Sequence, residues 1–333
     1  MTTTSESPAS VVSSPRQRAV LVLGAGRSGT SVVTRATQAA GVELGDHFKP
    51  PSRKNPSGFF EDTALLSLSK KLRRALDLRP DSLGLLDESV WDGPVVAPFY
   101  AEFAATIKAR FGAAPIWGFK YARTMRLLPF WVRLFRQMDI QPSYVMPIRN
   151  PLSVARSRAR LDAHRGSQEN SDLEWLVNVV PHFHLLQGAP LVVIDYDRLI
   201  ANPLVQVQRL AKQLDLPETV KSREAIDAFV HGYLRPGLQH TQFSIASMME
   251  EKRINRLLCE AYCLLDRLAV DEMNSSTIAL WDQWKEINAR LAELRPVLAR
   301  LDMLGRELRR AQWNPLSPLP AAWRLARKLL GKL

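Results

Sequence analysis

The sequence predicts an α/β protein: a parallel sheet covered by helices on both faces, in a P-loop-like three-layer fold, followed by an all-helical C-terminal extension. Three observations carry this expectation. Short apolar runs at 19–24 (AVLVLG), 116–120, 144–148 and 191–196 are separated from one another by segments with helical spacing. Uninterrupted apolar runs of this length suit strands buried on both faces, and strands alternating with helices suit a parallel sheet. After Pro203 the strand-like runs cease and only helical periodicity remains.

Residues 1–16 are polar, rich in Ser and Thr and without a period, and read as a disordered leader. They lack a basic stretch followed by an apolar one, so they do not read as a signal peptide. The first apolar run ends in glycine, and helical spacing follows over about 30–40. Residues 45–60 (GDHFKPPSRKNPSGFF) combine Pro, Gly and charge and read as a long loop. Beyond the last strand, 204–215, 220–230 and 247–268 are expected to be helical, the last with apolar residues at 254, 257, 258, 261, 264, 265 and 268. Cys259 and Cys263 share a face of that helix and read as free thiols. Leu280, Trp284, Ile287, Leu291, Leu294, Leu298 and Leu301 then form a heptad-like seam that Pro296 should break or kink. This seam fits either a hairpin packed on the body or a dimerising coiled coil. The expected divisions are 1–16, 17–245, 246–312 and 313–333.

The chain has 333 residues, 46% of them hydrophobic and 23% charged, and a net charge of +12. Residues 290–333 hold ten Lys or Arg and three Asp or Glu, so they supply +7 of that excess. Charge gathered at one end argues against a protein that wraps nucleic acid and in favour of an anionic ligand or a membrane surface. In 322–333 (AWRLARKLLGKL) four cations lie opposite an apolar face, with Trp323 at the boundary, so this tail is expected to lie on an anionic membrane. No apolar run is long enough to cross one. The chain reads as cytoplasmic, peripheral to the membrane's inner face if the tail binds.

The most informative stretch is Gly24-Ala25-Gly26-Arg27-Ser28-Gly29-Thr30-Ser31, between a strand and a helix. Backbone N–H groups and the positive end of a helix dipole converge there, which makes an anion site. Gly24, Gly26 and Gly29 match a dinucleotide fingerprint, for which Glu43 would be the acidic partner, although the strand around it is short. Gly24 and Gly29 also match part of the P-loop pattern of kinases and NTPases, with Asp195 at a strand end as the Mg²⁺ carboxylate; Thr30 stands where that pattern needs Lys. The third reading rests on Gly26-Arg27-Ser28-Gly29-Thr30-Ser31, which resembles the 5′-phosphosulfate loop of sulfotransferases that use 3′-phosphoadenosine 5′-phosphosulfate (PAPS).

Arg149-Asn150-Pro151-Leu152-Ser153-Val154-Ala155-Arg156-Ser157, at the end of the third run, resembles the 3′-phosphate motif of the same family. A guanidinium at a strand end and a hydroxyl two helical turns on can meet on one phosphate. Tyr196-Asp197-Arg198-Leu199 looks like the family's Tyr-x-x-Leu segment, in which the Tyr contacts adenine. Phe119-Lys120 with Arg123 resembles a segment of bacterial members, with Tyr121 and Ala122 in place of the usual Asp and Pro. The resemblance spans roughly residues 18–240. It implies PAPS as co-substrate, no metal, and a hydroxyl acceptor on a carbohydrate or glycolipid, of the kind sulfated by bacterial members of this family. Gly26, Arg27, Ser28, Gly29, Thr30, Ser31, Arg149, Ser157 and Tyr196 would bind the donor. Arg27 and Lys120 would serve the transfer, with Glu61 as catalytic base and His47 as the second choice. Glu61 follows two phenylalanines, a setting suited to a base, but it or Asp62 is equally placed to cap a helix starting near Thr63. His182 and His184, two apart, would face different directions on a helix and do not read as a metal pair. A non-catalytic nucleotide-binding scaffold at the membrane is the alternative outside enzymology.

Overall fold

The computed structural model describes residues 16–52, 55, 57–162, 165–234 and 242–313. Its centre is a four-stranded parallel sheet of β1 (Arg18–Val22), β2 (Ile116–Lys120), β3 (Gln141–Ile148) and β4 (Leu191–Asp195), in the order β2-β1-β3-β4. The apolar runs are continuous because both faces of the sheet are covered. Val20, Val22, Val145, Val192 and Ile194 face one layer, with α1 (Thr30–Ala39), α8 (Pro203–Gln213) and the segment after α9 (Val220–Ala228). Ala19, Leu21, Trp117, Phe119, Tyr144 and Met146 face the other. That second layer contains α2 (Thr63–Ala75), α3 (Ala97–Phe111), α4 (Leu128–Met138) and α6 (Gln168–Val179). Two short helices follow strand ends directly: α5 (Pro151–Ala159), opened by a proline at its first position, and α7 (Tyr196–Ala201), capped by Asp195.

The C-terminal region is helical as expected, with 247–268 divided between α10 (Ile245–Glu250) and α11 (Arg256–Ala269). Asn255 caps α11 through the Leu257 N–H, and its own N–H donates to the buried Asp172. Cys259 is buried and Cys263 half-buried, both as free thiols. The seam divides at Pro296. Helix α12 (Ile278–Glu293) ends before it, and α13 (Arg295–Trp313) carries it as its second residue, where a missing N–H costs nothing. Leu280, Trp284, Ile287, Leu291 and Leu298 are buried in the same core as the sheet, and Trp284 Nε1 donates to the Val180 carbonyl at 3.1 Å. The seam therefore packs on the body as far as Leu298, while Leu294 and Leu301 are exposed. Among the described residues no helix is long and apolar enough to cross a membrane. The leader, apart from Arg16, and the amphipathic tail fall outside the described residues.

Candidate active site

Parallel strands put all four C-terminal ends on one edge. The chain leaves β1 toward β2 and leaves β3 toward β4, so the loops after β1 and β3 part and leave a crevice between them. The Gly-rich loop and Arg149 stand on its two sides. Gly24 (φ 96°) lies so close to β3 that a Cβ would come within 2.8 Å of the Pro147 carbonyl oxygen. Gly29 (φ 80°) is the residue before α1, and a Cβ there would meet the Tyr196 ring at 2.2 Å. Among the described residues no side chain caps α1, so its first-turn N–H groups stay available to an anion. A Cβ on Gly26 would meet nothing within 4 Å, which leaves room above the loop. Ser28 Oγ is buried with no hydrogen-bond partner among the described residues. Arg27 holds a left-handed backbone (φ 77°), a strained conformation for a non-glycine residue and one found often where a loop is shaped for a ligand.

Arg27 Nε donates to Ser157 Oγ at 3.1 Å, which ties the loop to α5. Arg149, buried, lies with its guanidinium 4.6 Å from the centre of the Tyr196 ring and its Nε 3.7 Å from Asp197 Oδ1. Burial and, next, the charge of Arg149 push the Arg27 pKa down, with Tyr196 opposing. Two guanidiniums that repel one another across a crevice form a site that an anion would relieve. The Tyr196 ring, 5% exposed, is wedged between Gly29 and Arg149. In this structure it sets the arginine against the loop rather than presenting an open face to a base.

A second cluster meets the loop at Ser31. Lys120, at the end of β2, is buried, and its Nζ lies 3.3 Å from Ser31 Oγ and 3.2 Å from Glu61 Oε1. Asn55 Nδ2 donates to the same Ser31 oxygen at 3.0 Å. Lys49 Nζ stands 3.7 Å from Glu61 Oε2 and 3.6 Å from the centre of the Phe59 ring. Burial lowers the Lys120 pKa, and Glu61 works against that shift. Of the two neighbouring carboxylates, only Asp62 takes the capping role. Asp62 caps α2, accepting from the Ala64 and Leu65 N–H groups at 3.0 Å, and is held by Arg110; Glu61 turns inward between two lysines. Its surroundings are cationic rather than the apolar setting that two phenylalanines suggested.

These groups line one wall of a cleft of about 740 Å³ that includes Gly26, Arg27, Thr30, Ser31, Lys49, Glu61 and Lys120. Ten Lys or Arg and four Asp or Glu line it. His47, the second choice of base, is not among the lining residues. Its side chain is 70% exposed beside Asp46, because the 47–49 backbone pairs with 61–63 and turns it outward. Arg123 lines the cleft but donates to the Pro80 carbonyl at 3.1 Å. Arg158 was not among the residues the sequence singled out. Buried, it donates to the Gly26 carbonyl at 3.3 Å and to Glu174 at 2.8 Å, and Arg165 grips the same carboxylate, so α5 and α6 brace the loop from below. The alternation Arg156-x-Arg158-x-Arg160 was the available signal: three arginines so spaced on a short helix cannot all face solvent.

The competing readings of the loop lose their partners. Glu43 bridges the backbone of Trp117 on β2, two strands away from β3, and its carboxylate accepts from the Gly45 N–H at 2.7 Å. Asp195 accepts from the Arg198 N–H at 2.8 Å as the cap of α7 and is pushed up to about 6 by burial; like Arg149, Ser157 and Tyr196, it is not among the residues that line the cleft. His182 is buried edge-on against Trp91 and pushed down to about 3 by burial.

No protein-family profile and no curated protein sequence matches the chain. Among solved structures it is similar to the sulfotransferase STF1 of Mycobacterium tuberculosis H37Rv, at 13% identity and a TM-score of 0.35 over 71% of this chain and 74% of that one. It is also similar to the sulfotransferase domain of the Synechococcus PCC 7002 olefin synthase (17%, 0.40, 84% and 96%). A third is the sulfotransferase domain from the curacin biosynthetic pathway (14%, 0.37, 84% and 99%). At these scores the likenesses carry no argument for function, which rests on the geometry above.

Proposed function

We propose that this chain is a sulfotransferase that moves a sulfuryl group from PAPS to a hydroxyl of a carbohydrate or glycolipid. One observation carries the reading: Arg27 of the loop and Ser157 of α5, 130 positions apart, are hydrogen-bonded where Arg149 also converges. Each motif alone is an anion site; joined, they suit one ligand with phosphates at both ends. The orphaned Ser28 hydroxyl, the open space over Gly26 and the repelling arginines fit such a ligand.

The donor supplies an activated sulfuryl group. Arg27 and the N–H groups of Thr30 and Ser31 would meet the charge that develops on the departing 5′-phosphate. The acceptor oxygen bonds to sulfur as the sulfur–oxygen bond to that phosphate breaks, and the acceptor's proton passes to Glu61. Of its two oxygens, Oε2 is the freer, since Lys49 is 3.7 Å from it and Lys120 3.2 Å from Oε1. Lys120 links Glu61 to Ser31 and holds the base in line with the loop. Docking of the basic tail on the inner face of an anionic membrane, and pairing of two chains through the exposed part of α13, belong to the same proposal as ways of reaching a lipid-linked acceptor.

The test is ligand stabilisation. Adenosine 3′,5′-bisphosphate should raise the melting temperature without Mg²⁺, and ATP, NAD and NADP should do much less. Greater stabilisation by ATP with Mg²⁺ would replace this reading with a kinase.

A further inference from the structure

The cleft continues past Glu61 along α2, and there its charges change character. Every carboxylate that lines it already has a partner: Glu61 has its lysines, Glu174 has Arg158 and Arg165, Asp77 has Arg306, and Asp162 accepts from the Arg165 N–H. Four lining cations have no carboxylate partner among the described residues: Lys70, Arg73, Arg74 and Arg123. Arg73 donates to Tyr121 Oη at 2.6 Å and to the Leu78 carbonyl, and Arg123 to the Pro80 carbonyl. The undescribed segments hold a single acidic residue, Glu6, so the sequence offers almost nothing else to neutralise them.

Lys70 and Arg74 are exposed like charges one helical turn apart on the cleft-facing side of α2, and Arg73 is a buried guanidinium held by a hydroxyl and a carbonyl rather than by an acid, so the wing presents net positive charge to whatever enters the cleft. The donor's phosphates do not explain the cluster, because Arg27 and Arg149 lie at the sheet edge. Lys70 and Arg74 lie about 10 and 16 Å along α2 from the helix start where Glu61 stands. Resting on the sulfotransferase reading, we propose that this wing binds an oxyanion of the acceptor itself. The acceptor would then be a molecule already carrying a carboxylate, phosphate or sulfate, set roughly 10–16 Å from the hydroxyl that is sulfated. The cluster would fix which hydroxyl reaches Glu61 by holding the far end of the molecule.

The experiment begins with adenosine 3′,5′-bisphosphate at saturation, which fills the donor site and tests the parent reading by its own binding. Tetragalacturonate and its carboxyl-reduced, neutral form are then titrated calorimetrically at low salt. The acidic form should bind at least tenfold more tightly. Acetate and inorganic phosphate at matched ionic strength should compete, and their order ranks carboxylate against phosphate. Lys70→Ala with Arg74→Ala should remove the preference. Lys212→Ala with Lys221→Ala, which takes the same charge from equally exposed positions on α8 and α9 outside the cleft, should keep it. The proposal is overturned if both tetrasaccharides bind alike or not at all while the nucleotide binds, or if the two double variants lose affinity equally. Failure of the nucleotide itself would instead remove the sulfotransferase reading.

Discussion

The cleft and the α12–α13 hairpin are both rich in arginine, yet they use it in opposite ways. In the hairpin each arginine that reaches the body finds an acid or a carbonyl. Arg306 pairs with Asp77 and Asp302, Arg309 with Asp81, and Arg295 with Asp87 and the Leu85 carbonyl. Asp302, buried, also accepts from the Leu83 N–H at 3.0 Å and from Arg79 at 3.2 Å. Apart from the Arg306–Asp302 pair within α13, these contacts fall on residues 77–87, the segment that supplies Leu78, Arg79 and Pro80 to the cleft wall. The extension thus clamps one wall of the site through carboxylates, while four of the cations that line the cleft, Lys70, Arg73, Arg74 and Arg123, have no carboxylate partner among the described residues. A cation paired with an acid of the fold is neutralised there, and one that faces the cleft without an acid is available to an anion.

That distinction predicts opposite outcomes for substitutions in the two regions. The largest effect is expected at Arg149. Arg149→Ala should weaken adenosine 3′,5′-bisphosphate binding by about 2–4 kcal/mol, because a charge-assisted contact is lost from a buried site. Binding of an analogue without the 3′-phosphate, measured by the same titration, should hardly change. Equal losses for both ligands would move Arg149 to the structural group. Arg149→Lys should restore only part of the affinity, since the two-pronged geometry is gone.

Glu61 comes next. Glu61→Gln preserves shape and removes the proton acceptor, so single-turnover transfer should slow by about 10²-fold or more while donor affinity holds. Normal turnover would leave Glu61 as only a partner for Lys49 and Lys120. His47, the second choice, would then be substituted in the same assay; its side chain is 70% exposed and does not line the cleft.

How much of this was legible beforehand depends on how local each feature is. The strands and the anion loop were readable because a buried apolar run and a glycine turn are properties of consecutive residues. Even the small shifts have local causes: Tyr196 opens α7 instead of ending β4 because Asp195 caps the helix. Which of Glu61 and Asp62 caps α2 was not readable, because it depends on the helix starting at Thr63 rather than one residue earlier. Nor were Arg158 on the Gly26 carbonyl or Lys49 beside Glu61, which meet only after α5 and the 45–60 loop have folded against the sheet. The heptad seam was seen, but whether it packs on the body or on a second chain is set by what surface lies opposite. Here that surface is the 180–186 turn, where the Phe183 ring lies tilted against Trp284 with centroids 4.0 Å apart.

The smallest expected effects lie in the hairpin, where burial separates two ion pairs that look alike in sequence. Asp302 is buried and takes bonds from two arginines and a backbone N–H. Asp302→Ala leaves those donors unsatisfied, so global stability in a denaturant titration should fall by about 1–3 kcal/mol. Donor affinity, measured below the transition, should stay unchanged, because the lost contacts hold the 77–87 wall and not the loop. Glu260 and Arg290 join α11 to α12 with two hydrogen bonds, but both side chains are close to half exposed. Water and salt screen such a pair, and ordering two long side chains offsets much of the attraction. Glu260→Gln should therefore leave the denaturation midpoint unmoved at physiological salt. If Glu260→Gln destabilised as much as Asp302→Ala, pairing alone would set the worth of these contacts, and burial would have to be dropped as what separates a strong clamp from a weak one. If Asp302→Ala weakened nucleotide binding without unfolding, the wall and the loop would be coupled, and the extension would belong to the donor site as well as to the acceptor side.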